Sequence, residues 1–271
     1  MLRLEQLVDV DQYPIDQLDE APGRTLVAQC REQLDRTAMC HLPGFVRSDA
    51  VRRVLDEVAQ LRDRTYWMES ERRAYSWRNP DDYPDANVVG RHNPNRIGSI
   101  TKNEFPEEGA FVSIFAQEAL TEFVRQCMGF DSLHPVACPY LSANIKVMTE
   151  GCRHAWHFDQ NDGAVTLMFQ PASEGGQFEY VPFLRDEGDE NYARVEQLMD
   201  GDTADVLGSD LGAGSFCLFK GRRSIHRVSE VERGDRLLAV FSYHHVPGHR
   251  YKESTVRSVL GRLPDDYAAS L

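Results

Sequence analysis

The sequence predicts a mainly β fold with flanking helices, and the order of its patterns is the first reason. Amphipathic runs with helical spacing fill much of the chain before residue 130, whereas short apolar runs separated by turns fill residues 131–250. The second reason is that no repeat, linker or low-complexity stretch divides the 271 residues. Helices followed by at least six strands favour one domain, a β-barrel or two-sheet jelly roll supported by helices.

Residues 1–130 are expected to supply helical support and covering loops. Two amphipathic patterns within residues 24–62 flank the apolar run "CHLPGFV", which predicts helix, strand and helix, with Ser48 as an N-cap. Residues 65–106 are rich in Asn, Asp, Pro, Arg and aromatic residues and show neither the helical nor the strand period. Long ordered loops that cover a site are therefore expected there. One helix, "VSIFAQEALTEFVRQCM", should then end at Gly129.

Residues 131–250 carry the predicted β core. Its expected strands are "SANIKVM", "AVTLMFQ", "GQFEYVP", "SFCLFKG", "SIHRVSEV" and "RLLAVFSYHHV". Gly175 and Gly176 supply one turn and "ERGD" supplies another. The acidic stretch "DEGDENYARVEQLMDGD" interrupts the strands with a partly helical pattern, and residues 251–271 are expected to form a C-terminal tail.

Composition limits the classes of function. The formal net charge is -13 and no basic stripe with interleaved aromatic residues offsets it, so nucleic acid is not an expected partner. No run reaches the roughly 18 apolar residues of a membrane helix, and the N-terminus is too acidic for a signal or transit peptide. We therefore expect a cytoplasmic protein with no membrane partner. The six cysteines lack CxxC spacing, which predicts buried reduced thiols rather than a zinc site or a disulfide framework.

The stretch "HAWHFDQNDG" at residues 154–163 concentrates potential metal ligands. His157 and Asp159 are separated by one residue, so on an extended strand both side chains face the same way. His226, in a later strand-like run, is the best-placed third ligand. Two imidazoles and one carboxylate leave three adjacent positions open, which suits iron(II) with a chelating cosubstrate and dioxygen, although zinc accepts the same ligands. A simple hydrogen bond between His157 and Asp159 is the alternative.

Arg236 favours the metal interpretation. It lies ten residues after His226 and begins the apolar run "RLLAVFSY". An arginine at the head of a buried strand needs an anionic partner. A small dicarboxylate cosubstrate is one such partner, and an internal salt bridge is the other.

The order His157, Asp159, His226, Arg236 resembles the pattern of the iron(II)/2-oxoglutarate-dependent oxygenases. Residues 141–246, including "NIKVMTEGCRHAWHFDQNDGAVTLMFQPASEGGQFEYVP", look like the BesD/HalD-type amino-acid halogenases and their hydroxylase relatives. The resemblance implies a double-stranded β-helix core of the jelly-roll or cupin-like kind. It also implies iron(II) on the two histidines and the aspartate, 2-oxoglutarate on Arg236, and dioxygen.

Two positions depart from the resembled enzymes. The halogenases carry Gly or Ala where this chain has Asp159, and that small residue opens a coordination position for chloride. With a carboxylate in place, the resemblance implies hydroxylation instead. Many of these oxygenases also carry a Ser two residues after the arginine, where this chain has Leu238, which concerns only how the far carboxylate of 2-oxoglutarate is held.

Six more residues are candidates for binding substrate. They are His154, Asn144, Ser242, His244, Arg91 and Arg96. Alternation along the strand that begins at Arg236 would place Ser242 and His244 on its face. The resemblance implies a substrate contact for His154, with a hydrogen bond that orients His157 as the alternative. It also implies that an arginine of the N-terminal half, Arg91 or Arg96, holds a substrate carboxylate, while Asn144 is a candidate from the strand beside the metal strand.

The expected function is hydroxylation of an sp3 carbon of a small polar metabolite, a free amino acid or a close derivative, with succinate and CO2 as coproducts. Desaturation or cyclisation with the same cofactors remains open. A cupin-like metal isomerase or hydrolase without 2-oxoglutarate is a second alternative, and a non-catalytic sensor on the same barrel is a third. The sequence does not indicate the oligomeric state.

Overall fold

The computed structural model describes residues 1–83, 87–161 and 163–267. The helices within these residues are α1 (Leu4–Leu7), α2 (Ala21–Thr37), α3 (Ser48–Gln60), α4 (Asn87–Gly90), α5 (Ala110–Phe115), α6 (Glu118–Met128), α7 (Tyr192–Met199) and α8 (Glu253–Leu260). The strands are β1 (Met39–Leu42), β2 (Tyr66–Arg73), β3 (His92–Thr101), β4 (His134–Pro135), β5 (Ala143–Met148), β6 (His154–His157), β7 (Ala164–Gln170), β8 (Glu174–Gly175), β9 (Phe178–Val181), β10 (Leu207–Ser209), β11 (Phe216–Phe219), β12 (Ile225–Val228), β13 (Val231–Arg233), β14 (Arg236–Phe241) and β15 (Tyr243–His244).

Two antiparallel sheets form the centre of the molecule. The larger has the order β1-β11-β7-β14-β5-β3-β2, and the smaller has the order β10-β9-β12-β6. Leu238 of β14, Met168 of β7 and Phe219 of β11 pack in one buried cluster with Tyr180 of β9. Because this cluster joins one face of each sheet, the sheets face each other as a jelly roll. The mainly β fold with flanking helices is as the sequence predicts.

The N-terminal helices cover the outer face of the larger sheet. Leu167 of β7 and Leu218 of β11 belong to one buried cluster with Val54 of α3, Phe111 of α5 and Phe123 of α6. Full burial of each such side chain stabilises the fold by about 1.5–3 kcal/mol. The larger sheet is therefore buried on both faces, by the helices on its outer side and by the smaller sheet on its inner side.

The hairpin of β2 and β3 replaces the long loops that the sequence predicts for residues 65–106, so that prediction was wrong for much of the segment. The alternation of apolar and polar residues that marks a strand is missing because residues 97–101 are all buried. In the sheet, β3 lies between β2 and β5. Pro94 is tolerated because it pairs only with Glu71 of β2, whereas β5 joins β3 from Gly98 onward.

Two predictions about helices also need correction. The single helix expected to end at Gly129 is divided into α5 and α6 at Gln117, whose backbone is extended. The Glu57 carboxylate accepts the amide hydrogens of Ala110 at 2.5 Å and Phe111 at 3.2 Å and so stabilises the start of α5. Ser48 is the first helical residue of α3 and makes no capping bond; Arg47 occupies the N-cap position instead.

The expected C-terminal tail contains α8, which packs Val256 and Leu260 against Tyr66 of β2 and Tyr140. Residues 268–271 lie outside the described part of the chain. All six cysteines are buried and unpaired, as predicted. Among the described residues, no helix has the length and apolar character needed to span a bilayer, and the expected cytoplasmic location stays a prediction.

Candidate metal centre and active site

Two neighbouring strands of the smaller sheet bring three potential metal ligands together. His157 ends β6, and His226 of β12 is its direct cross-strand partner. Asp159 follows two residues after His157, and its Oδ1 atom lies 3.7 Å from His157 Nε2 and 3.6 Å from His226 Nε2. Within the described residues, these are the side chains whose ligand atoms lie close enough together to hold one ion, all within 4.8 Å.

Both histidines are oriented for metal binding. His157 Nδ1 donates to the carbonyl of Ala155 at 2.8 Å, and His226 Nδ1 donates to the carbonyl of Ser224 at 3.0 Å. These bonds place the ring proton on Nδ1 and leave the Nε2 lone pairs facing Asp159. Burial lowers the pKa of both imidazoles, so both are neutral at neutral pH. Two neutral nitrogens and one carboxylate fit the ligand preferences of iron(II).

Gly221, which the sequence reasoning missed, makes room for the Asp159 carboxylate. Its carbonyl accepts the amide hydrogen of Asp159 at 3.1 Å. A β-carbon placed on Gly221 would overlap the carboxylate, 2.8 Å from Asp159 Cγ, and would lie 3.1 Å from His226 Cε1. The chain therefore has no room for a side chain at residue 221 beside these ligands.

Arg236 begins β14 and is 2% exposed, on the inner face of the larger sheet. Within the described part of the chain, no carboxylate lies within ion-pair distance of its guanidinium, which argues against the internal salt bridge that the sequence left open. Burial lowers the pKa of Arg236 to about 10, still far above neutral pH. A charged, buried guanidinium without an acidic partner fits the binding of an anion such as a 2-oxoglutarate carboxylate.

His154 lies against the metal ligands and contacts an unexpected arginine. Its ring centroid is 4.2 Å from that of His157, and its Nε2 atom lies 3.2 Å from Arg72 Nη1. Burial and the charge of Arg72 hold the pKa of His154 well below its usual range, so His154 accepts the hydrogen bond from the guanidinium. Because Ala155 already accepts from His157 Nδ1, His154 positions Arg72 rather than orienting His157.

Lys146 and Asn144 line the inner face of β5 beside Arg236. Their cross-strand partners on β14 are Leu238 and Val240, while Arg236 itself pairs with Met148. Lys146 Nζ donates to Ser99 Oγ at 2.9 Å, and burial followed by the charge of Arg72 lowers its pKa to about 8. Asn144 is buried and its Oδ1 atom has no hydrogen-bond partner within the described residues.

The structure does not bring Arg91 or Arg96 to the metal ligands. Arg91 bonds to Asp200 Oδ1 at 2.5 Å and to the carbonyl of Met199 at 2.9 Å. Arg96 is half-exposed and lies over the ring of Trp67, 5.7 Å from its centroid. The arginine of the N-terminal half that does reach the site is Arg72, which carries no sequence signal beyond its charge.

Strand β14 ends at Phe241, although the amide of Ser242 still bonds in register to the carbonyl of Ser142, and the next residues form the separate strand β15 with β4. Phe241 and Tyr243 both pack against Phe115 on the outer side of the larger sheet, so alternation leaves Ser242 and His244 on the opposite side. His244 stacks on His249 with ring centroids 3.7 Å apart. Substrate binding by Ser242 and His244 stays a prediction. A sequence signal for Lys146 was present, since a lysine lies between apolar neighbours in "ANIKVM".

Comparison with known proteins places the chain in a family. The family model described as Halogenase D (HalD) matches residues 23–255. No curated protein matches the chain. Among solved structures, HygX from Streptomyces hygroscopicus, crystallised with nickel, 2-oxoglutarate and hygromycin B, is 14% identical with a TM-score of 0.55, covering 83% of this chain and 89% of that chain.

Two other solved structures share the fold. A prolyl hydroxylase from Trichoplax adhaerens in complex with a hypoxia inducible factor peptide is 15% identical with a TM-score of 0.54, covering 87% of this chain and 92% of its own. An oxidoreductase of the 2OG-Fe(II) oxygenase family from Burkholderia pseudomallei is 14% identical with a TM-score of 0.52, covering 82% and 92%. Because the family model matches most of its length, and because its fold brings two histidines and an aspartate together, the chain belongs to the Halogenase D family and is an iron(II)/2-oxoglutarate-dependent oxygenase.

Proposed function

We propose that the protein hydroxylates an sp3 carbon of a small polar metabolite, a free amino acid or a close derivative, and converts 2-oxoglutarate to succinate and CO2. The observation that carries this proposal is the complete ligand set His157, Asp159 and His226. The carboxylate of Asp159 lies where the resembled halogenases have a small residue that leaves space for chloride. Hydroxylation needs no such space.

The residues of the site have separate roles in this proposal. His157, Asp159 and His226 hold iron(II), which supplies the oxidising chemistry once 2-oxoglutarate and dioxygen are bound. Arg236 holds the carboxylate of 2-oxoglutarate that lies away from the metal. Arg72 binds a carboxylate of the substrate, and His154 positions it by accepting from Nη1 at 3.2 Å.

The first experiment is an anaerobic titration of the apo-protein with iron(II) and then 2-oxoglutarate, followed by the weak visible charge-transfer band of the chelated complex. We expect the band in the wild type and its loss in His157→Ala and Arg236→Met. Arg96→Met is the matched control, since Arg96 lies on the outer side of its strand, half-exposed, against Trp67. A wild-type protein that binds iron but develops no band would contradict the use of 2-oxoglutarate.

The second experiment identifies the reaction. Free amino acids are screened for succinate release, and the product is analysed by mass spectrometry. Hydroxylation adds one oxygen atom, whereas desaturation or cyclisation removes two hydrogens, so the two outcomes separate cleanly. Chlorinated product in the presence of chloride would contradict the role given to Asp159.

A further inference from the structure

The site contains more positive charge than the metal ligands and the cosubstrate can balance. Arg72, Lys146 and Arg236 are all positioned on its walls, whereas Asp159 is the acidic side chain that faces them in the described structure. Lys146 bonds to the neutral hydroxyl of Ser99, and Arg72 bonds to the neutral ring of His154. Arg72 Nε is buried and has no hydrogen-bond partner within the described residues.

Several partly buried arginines elsewhere in the described structure are paired with carboxylates. Arg185 bonds to Glu190 at 2.9 Å, and Arg125 bonds to Glu122 at 2.6 Å. The contrast matters because a cation removed from water without a counter-ion costs several kcal/mol. Buried cations without an acidic partner therefore indicate that the site binds an anionic ligand, which supplies the missing negative charge.

The ligands already proposed neutralise only part of this charge. Iron(II) and Arg236 together carry three positive charges, which the dianion of 2-oxoglutarate and the carboxylate of Asp159 balance. Arg72 and Lys146 are therefore the two cations left for the substrate.

We infer that the substrate is a small dicarboxylic amino acid, with one carboxylate bound by Arg72 and the other by Lys146. This inference rests on the proposed function and names its substrate class. The buried Oδ1 atom of Asn144, which lacks a hydrogen bond in the described structure, accepts a hydrogen from the substrate amino group. Asn144 and Lys146 are two residues apart on one face of β5, about 7 Å along the strand, so one small molecule can reach both.

The test uses the anaerobic complex of the full chain with iron(II) and 2-oxoglutarate, because an amino acid bound beside the metal perturbs its visible band without turnover. Aspartate and glutamate are titrated against asparagine and glutamine, which match them in shape and lack the second charge. We expect at least one dicarboxylic amino acid to saturate the change at a concentration tenfold or more below that of its amide. Equal binding of each acid and its amide would overturn the inference.

The variant Lys146→Met removes the charge and keeps the length of the side chain. We expect it to abolish the preference for the acid over the amide while leaving the 2-oxoglutarate titration unchanged, and Lys146→Arg to retain the preference. Lys252→Met is the matched control, since Lys252 is exposed at the start of α8.

The outcomes separate this inference from the proposed function. Absence of the band in the wild type contradicts the proposed function itself. A normal band without a preference for acidic amino acids overturns only the substrate class. A tenfold loss of 2-oxoglutarate affinity in Lys146→Met, with the amino-acid preference intact, would make Lys146 a cosubstrate residue and would also overturn the inference.

Discussion

At the scale of single residues, Gly221 contributes to the site through the space that it leaves. We predict that Gly221→Ala weakens iron(II) binding about 10- to 100-fold, because the added methyl group displaces the Asp159 carboxylate while the fold is retained. Iron(II) titration of the apo-protein measures the effect. Gly212→Ala is the control, since a β-carbon there meets nothing within 4 Å. An unchanged iron titration in Gly221→Ala would contradict the geometry.

Lys146 should make the stability of the apo-protein depend on pH. Its folded pKa of about 8 lies below the usual value of 10.5 because burial penalises the ammonium form. Between these values the unfolded chain binds the proton and the folded chain does not, so stability rises with pH in this window. Below about pH 8 both states are protonated and the destabilising effect of the buried charge is constant.

We therefore predict that the free energy of unfolding of the wild type, relative to Lys146→Met, rises by up to about 1.4 kcal/mol per pH unit above about pH 8. Urea unfolding of both proteins at about pH 7, 8 and 9.5 measures this difference, and the titration of other groups largely cancels in it. A difference that stays constant over the whole range would show that the ammonium group is not buried.

The residues that could be predicted from the sequence are those whose role follows from local spacing. His157 and Asp159 share a face because they are two residues apart, and Arg236 follows His226 along the chain. Arg72 meets His154 across 82 residues, a contact fixed only by the position of the β2–β3 hairpin against β6. Contacts of this kind depend on the register of paired strands, which single-sequence patterns do not specify.

At the scale of elements, the β2–β3 hairpin carries Arg72 to the site and depends on Gly98 for its close approach to the sheet. A β-carbon on Gly98 would lie 2.6 Å from Thr65 Cγ2 and 3.0 Å from the carbonyl oxygen of Val147. We predict that Gly98→Ala destabilises the protein by about 1–3 kcal/mol through overpacking. Thermal or urea unfolding measures the loss.

Gly208 in the edge strand β10 provides the control for this substitution, because a β-carbon there has open space around it. Gly208→Ala should change the free energy of unfolding by less than about 0.5 kcal/mol. Equal stability of Gly98→Ala and the wild type would mean that the hairpin can move away from β5 without cost. In that case the hairpin would not hold Arg72 in one position, which would argue against Arg72 as the residue that binds a substrate carboxylate.

The element predictions failed where tertiary contacts override local pattern. The expected strands of residues 131–250 are present because short apolar runs between turns are a local signal. The strand β3 was missed because burial on both faces removes its alternation. The break between α5 and α6 was missed because it falls at Gln117, whose side chain bonds to the carbonyl of Leu2, a residue distant in the chain.

At the scale of the whole molecule, the acidic surface and the cationic site act over different distances. The formal net charge is -13, yet Arg72, Lys146 and Arg236 are gathered inside. At physiological ionic strength the Debye length is about 8 Å, so the field of exposed carboxylates is largely screened while buried contacts are not. The acidic substrate proposed above would therefore be selected by contacts within the site rather than by the net charge.

The packing of the whole chain predicts a single cooperative unit, as expected for one domain. The buried cluster on the outer face of the larger sheet contains Val54, Phe111 and Phe123 from the N-terminal helices together with Leu167 and Leu218 from the strands. Neither part can bury its apolar side chains alone. We predict that the 271-residue chain unfolds in one transition, with the same midpoint by tryptophan fluorescence and by far-ultraviolet circular dichroism.

A chain restricted to residues 131–271 provides the complementary test. It keeps the metal ligands and Arg236 but lacks β1, β2, β3 and the helices that cover the larger sheet. We expect this fragment to be unfolded or aggregated and to bind no iron(II) tightly, since Asp159 and the histidines are aligned only by the paired sheets. Two separate transitions in the full chain, or a folded fragment that binds iron(II), would mean that the helical and β parts are independent domains.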